Sequence, residues 1–222
     1  MMQFENDTPK IAIFRALQLG DMLCTVPALR ALRKAYPKAN IALIGLPWAT
    51  SFVQRYNKHL DRLIVFPGYN DLPEQPYDEA NWKRFVTQMQ REQFDCILQM
   101  QGNGTIVNHM LQQLQAKQLA GFHRHDCRMD DRFFVEYPEG PHEVMRHLAL
   151  MEHLGIPADG TDMEFPVTKQ EEETLLQVAP FAHNEPYIVI HPGSRSPARQ
   201  WQPGYFAALG DYCAEHGYRV VL

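Results

Sequence analysis

Residues 11–37, IAIFRALQLGDMLCTVPALRALRKAYP, constrain the fold more than any other stretch of this chain. Ile11, Ala12, Ile13 and Phe14 make the short apolar run of a buried strand. Leu19-Gly20-Asp21 reads as a turn. Met22, Val26, Leu29, Leu32 and Tyr36 then recur every three or four residues, with Arg30, Arg33, Lys34 and Lys38 on or beyond the opposite face. Strand, glycine turn and amphipathic helix together are the opening unit of an α/β sheet. Asp21 falls where the carboxyl edge of the sheet meets the helix, and ligands of open α/β folds collect at that edge. Two readings of Asp21 stay open. Aspartate is a preferred helix N-cap. Pro27, however, predicts a break, with the regular helix starting near it, which leaves Asp21 in a loop facing the edge. There its carboxylate can serve as a general base toward a hydroxyl.

The same alternation continues down the chain. Apolar runs predict strands at 40–46, 63–66, 94–100 and 118–122, and a further short strand at 133–137. Helical spacing predicts helices at 49–56, 79–93, 106–114 and 143–154, the last stopped by Gly155 and Pro157. A parallel sheet covered on both faces follows, filling a first domain over 1–157. Residues 158–186 are acidic and turn-rich, with one helical stretch at 170–179, and read as a linker between domains. A new unit then begins, with a buried strand at 187–191, a loop at 192–203, a helix at 204–216 and a strand at 218–222. So short a unit cannot bury its own faces, and the second domain, 187–222, is expected to be incomplete.

The net charge of −5 argues against a dedicated nucleic-acid binder. Cys24, Cys96, Cys127 and Cys213 are scattered without a C-x-x-C pair, so free thiols in a reducing cytoplasm are expected, with no disulfide framework and no zinc knuckle. The polar opening MMQFENDTPK is read as no signal peptide, and no apolar run reaches the length of a membrane span.

The strongest local signal is His191-Pro-Gly-Ser-Arg-Ser-Pro-Ala-Arg-Gln-Trp201. It lies between a strand and a helix. Gly193 permits close backbone approach, Ser194 and Ser196 offer hydroxyls, and Arg195 and Arg199 supply charge for phosphate oxygens. The competing reading is a basic surface loop with Trp201 packed beneath it. Gln101-Gly102-Asn103-Gly104 forms a second sheet-edge loop, whose amides suit sugar hydroxyls but which alone is an ordinary turn. His123, Arg124, His125, Asp126 and Cys127 lack metal-ligand spacing and read as a polar loop, and His142, His147 and His153 are assigned no role. There is no G-x-G-x-x-G after the first strand, no P-loop, no nucleophile elbow and no D-x-D.

The pairing of LGD plus its PALRALRKAYP helix with a distant strand–HPGS–Arg–Arg-Gln-Trp–helix resembles glycosyltransferase family 9, the lipopolysaccharide heptosyltransferases, over 11–222. The resemblance implies a GT-B fold: a Rossmann-like N-terminal, acceptor-side domain and the start of a second, nucleotide-sugar-binding one. It implies transfer of a heptose, as from ADP-heptose, to a lipid-linked core-type acceptor with inversion, and Asp21 as general base. Gly193, Ser194, Arg195 and Arg199 would bind the donor diphosphate, and Gly20, Gln101, Asn103, His191 and Trp201 would contact substrate. No metal or other cofactor is expected. Many members carry Lys where this chain has Arg199, and the two are not equivalent on phosphate. The expected location is the cytoplasm, with the inner face of the membrane as a place of peripheral contact through basic helix faces. The 222 residues alone are expected to be inactive. The alternatives are another GT-B enzyme, such as a sugar-nucleotide epimerase, and a non-catalytic binding module.

Overall fold

The computed structural model describes residues 2–127, 129–194 and 197–222. The chain divides into two units, Met1–Pro166 and Val167–Leu222.

In the first unit six strands form one parallel sheet: β1 (Lys10–Phe14), β2 (Asn40–Gly45), β3 (Arg62–Val65), β4 (Cys96–Gln99), β5 (Gln118–His123) and β6 (Phe134–Glu136). Their spatial order is β3-β2-β1-β4-β5-β6. The chain winds outward from β1 to β3, then returns to the other side of β1 and winds outward again. The order therefore reverses between β1 and β4, the place where open α/β sheets leave a crevice.

Every strand position near the centre is buried, and successive residues serve opposite faces. Ile11, Ile13, Ile41, Leu43, Cys96 and Leu98 pack against Met22, Leu29, Leu32, Phe52, Leu150 and Met151. Those residues come from α1 (Leu19–Leu23), α2 (Val26–Ala35), α3 (Ala49–Arg55) and α6 (Glu143–His153). On the other face Ala12, Phe14, Ala42, Ile44 and Ile97 meet Trp82, Phe85 and Met89 of α4 (Glu79–Glu92) and Val107, Met110 and Leu111 of α5 (Val107–Gln112). The expected strands and helices are present, with ends moved by a residue or two.

The expected break at Pro27 is also present. α1 stops at Leu23, the Thr25 hydroxyl caps back onto the Met22 carbonyl at 2.6 Å, and α2 restarts with Pro27 in its first turn, where no N–H is missed.

Residues 158–166 belong to the first unit and do not hang free as a linker. Arg30 donates to the Asp159 carbonyl (2.9 Å), Lys34 pairs with the Asp159 carboxylate (2.5 Å), and Tyr56 donates to the Glu164 carbonyl (2.6 Å). Arg33 is likewise taken by Asp61 at 2.7 Å. The basic face of α2 is thus occupied by this chain's own carboxylates and carbonyls.

The second unit holds α7 (Lys169–Val178), β7 (Tyr187–Val189), α8 (Pro203–Glu215) and β8 (Arg219–Val221), with 3-10 turns at Pro180–His183 and Pro197–Arg199. β7 and β8 pair in parallel. Here the expectation of a buried strand at 187–191 fails: Val189 is 63% exposed, and among the described residues only Ile190 and Cys213 of this unit are buried. A two-stranded sheet with so little packed on it cannot hide an apolar run.

Candidate functional site

Asp21 is the third residue of α1 and is exposed at the carboxyl edge beside the β1–β4 crevice. It neither caps the helix nor sits in the loop expected from Pro27, because the chain forms a separate short helix, α1, before the break. Gln18 holds the cap position, without a side-chain bond, and among the described residues none hydrogen-bonds the Asp21 carboxylate. What is fixed is its backbone. The Asp21 carbonyl accepts from Arg15 Nε at 3.1 Å and Arg15 Nη2 at 3.0 Å. The Leu17 carbonyl accepts from Trp48 Nε1 at 3.2 Å, and the Ala16 N–H donates to Gln101 Oε1 at 2.7 Å. The segment from Arg15 into α1 is therefore tied at three points while the Asp21 carboxylate stays open to solvent. Gly20 is exposed too, and a side chain there would meet nothing within 4 Å.

Across the crevice, the Gln101–Gly104 loop turns much of its polarity inward. Gln101 is buried, and its Nε2 donates to Glu74 Oε1 at 2.9 Å, so both ends of the amide brace neighbouring loops. Gln99, also buried, donates to the Gln101 and Gly102 carbonyls and accepts from the Phe122 N–H. Asn103 Oδ1 accepts from the Thr105 N–H and hydroxyl, an Asx turn. Gly104 has φ +79°, and a Cβ there would lie 2.2 Å from Asn108 Nδ2. The ordinary-turn reading describes this loop's geometry. Asn103 is half-exposed, and Gln101 supports rather than faces the crevice.

Beneath Asp21 lies a charge cluster. Arg15, 1% exposed, donates through Nη1 to the Met100 carbonyl and through Nη2 to Glu143 Oε1 at 3.0 Å. Glu143 opens α6, and its second oxygen takes Arg146. His147, one turn on, is fully buried with Nε2 3.2 Å from Glu143 Oε1. Burial lowers the Arg15 pKa, opposed by Glu143 and by the nearby Asp21 charge. Contact with His147, then Arg15, holds the Glu143 carboxyl well below the usual range despite desolvation. Burial first, and then the Arg15 and Arg146 charges, push the His147 imidazole down to about 4 although Glu143 opposes this, so it is neutral near pH 7. The Cys24 thiol is pushed up by burial, against the pull of Arg15, and is a poor nucleophile.

In the second unit the HPGS loop follows β7. His191, Gly193, Arg199 and Trp201 are exposed and Ser194 is half-exposed. Arg195 and Ser196 lie outside the described residues. The Ser194 carbonyl accepts from Gln200 Nε2 at 2.6 Å, which closes the loop on itself. Trp201 stacks on Tyr205 with ring centres 5.1 Å apart and meets the Phe206 edge at 5.2 Å. It is 50% exposed and not packed beneath the loop.

The protein-family model for glycosyltransferase family 9 (heptosyltransferase) matches residues 82–222. The chain belongs to this family. A lipopolysaccharide heptosyltransferase 3 of Escherichia coli strain K12 is 23% identical over 208 residues, 91% of this chain and 59% of that protein. Among solved structures, a family 9 glycosyl transferase from Veillonella parvula superposes with a TM-score of 0.70 at 21% identity, covering 98% of this chain and 62% of that one. The E. coli heptosyltransferase WaaC, solved with ADP-2-deoxy-2-fluoro heptose, gives 0.63 at 17% identity, covering 95% and 67%. The chain thus spans about three fifths of the length of these relatives, and the structural likeness establishes an α/β fold of the GT-B type.

Several members of the site escape a reading by sequence. Arg15 ends an apolar run and looks like the polar close of a strand. Glu143 looks like a favourable acid in a first helical turn. His147 shows no shared face with His142 or His153. The available signal is a long cationic side chain at the end of an apolar strand, four residues before LGD. Among the described residues no three His, Cys, Asp or Glu side chains gather as a metal site, and Arg124 is paired with Asp126 in the His123–Cys127 loop.

Proposed function

We propose that the protein transfers a heptose-class sugar from a nucleoside-diphosphate donor to a lipopolysaccharide-core-type acceptor, with inversion at the anomeric carbon. The observation that carries this reading is the exposed carboxylate of Asp21, set on a backbone tied at three points beside the β1–β4 crevice. Asp21 takes the proton of the acceptor hydroxyl as that oxygen bonds to the anomeric carbon, and the bond from that carbon to the donor phosphate breaks. The departing diphosphate is held by Gly193, Ser194, Arg195 and Arg199, where backbone N–H groups and guanidinium charge offset its developing negative charge. His191 and Trp201 line the donor loop, and Gly20 and Asn103 stand on the acceptor side.

The reading requires no metal, since the loop's cations take that part; transfer undiminished by EDTA tests it. Contact with the membrane is confined to presentation of a lipid-linked acceptor at the inner face, because Arg30, Arg33 and Lys34 already have carboxylate partners. Among the described residues no helix is long and apolar enough to cross a membrane. Residues 1–222 alone are expected to turn over little donor, given how little of the second unit is buried.

The test is a panel of nucleotide sugars offered to the natural full-length protein with a core oligosaccharide acceptor. Transfer from a nucleotide-heptose, with inverted product, is expected. Epimerised donor without transfer, or binding without turnover, would replace this reading.

A further inference from the structure

Arg15 ties together four elements around Asp21. It lies one residue beyond β1, bonds the Asp21 carbonyl in α1 through Nε and Nη2, reaches the Met100 carbonyl beyond β4 through Nη1, and pairs with Glu143 at the start of α6. It uses the Asp21 carbonyl and leaves the carboxylate alone. The carbonyl of residue 21 shares a peptide plane with its own Cα, so holding that oxygen restrains the Cα, and the helical backbone of α1 then sets the direction in which the side chain leaves. The guanidinium does this with donors in a rigid fork, which an ammonium cannot copy.

We propose that Arg15 is the positioning residue of the site: clamped by Glu143, it sets the backbone from which Asp21 presents its carboxylate. This rests on the reading of Asp21 as the general base. A displacement of about 1 Å at a reacting group can lower turnover about 100-fold, and this is the scale expected when the fork is lost.

The experiment compares Arg15→Lys, Glu143→Gln and Asp21→Asn in the natural full-length protein. Sugar transfer and amide hydrogen exchange are measured on each. Arg15→Lys is expected to lower kcat about 100-fold with the donor KM unchanged, and to keep the acid limb of the pH–rate profile, since positive charge and carboxylate both remain. Exchange at the Met22 and Cys24 amides, bonded to the Gln18 and Gly20 carbonyls at 3.0 and 3.2 Å, is expected to quicken in the same variant. Glu143→Gln, which keeps the side-chain shape, should show the same split in smaller measure and serves if Arg15→Lys does not fold. Wild-type kcat and unchanged exchange in both variants, with Asp21→Asn inactive, would overturn the positioning role and leave the base intact. Full transfer by Asp21→Asn would overturn the base reading, and the positioning role with it.

Discussion

Both units of this chain contain a parallel strand, a helix and a second parallel strand, yet they bury them to different depths. In the first, Ile11, Ala12, Ile13 and Phe14 of β1 are at most 1% exposed, because β2 and β4 flank the strand and helices cover both faces of the sheet. In the second, β7 has the same apolar character, but Tyr187 and Val189 remain exposed. Apolar composition makes a strand able to be buried; neighbours on two edges and two faces make it buried. The second unit is held by local devices instead. Thr168 and Glu171 form a reciprocal capping box on α7, and Arg219 pairs with Glu185 while lying 4.6 Å over the Phe181 ring.

The sharpest way to break this contrast is to separate the units. Residues 1–166 expressed alone are expected to melt in one cooperative transition, and residues 167–222 alone to show none, read by circular dichroism on heating. A cooperative melt of the second fragment would end the comparison.

Single substitutions sharpen it. Ile13→Ala, in the core between sheet and helices, is expected to cost about 2–5 kcal/mol by urea denaturation. Val189→Ala, at an exposed position, should stay within about 0.5 kcal/mol.

Acid distinguishes the units next, since buried His147 and its half-buried partner Glu143 lie in the first. The His147 pKa is about 4 in the folded protein against an ordinary 6.5. As pH falls from 6.5 toward 4 the unfolded chain takes up this proton while the native protein does not, so stability is full above that window and declines through it. The slope is expected to approach about 1.4 kcal/mol per pH unit. Glu143, also depressed, adds loss in the same direction below its ordinary value of 4.5. Denaturant midpoints at pH 7.5, 6 and 4.5 check this, and His147→Gln should flatten the upper part of the curve.

Two glycines, one in each unit, give effects of opposite sign. Gly104→Ala strains a left-handed turn and drives a methyl against Asn108 and the Phe122 carbonyl, so a loss above about 1 kcal/mol is expected. Gly210→Ala lies inside α8, where a methyl would meet Val220 and Ile190 at 3.7 and 3.8 Å, ordinary contacts. A gain of about 0.5–1 kcal/mol is expected there from helix propensity.

The sheet was legible because its strands are short runs such as Ile41–Leu43 that read the same on either face, and each is followed by helical spacing. The kink at Pro27 and the stop at Gly155 (φ +74°) were legible from local chemistry alone. The exposure of β7 was not, since a run of apolar residues says nothing of what covers it. Asp21 could be singled out from its place after a strand, but the Arg15–Glu143 contact that orders its backbone joins residues 128 apart in the chain. Gln101 was placed correctly at the sheet edge, and only side-chain geometry shows its amide turned toward Ala16 and Glu74.

The measurement that bears most directly on this account is the rate of sugar transfer by the natural full-length protein against its Asp21→Asn variant, with folding verified by an unchanged melt. A fall of about 10²–10⁴-fold is expected. An unchanged rate would remove Asp21 from the chemistry and leave the tied loop as structure alone.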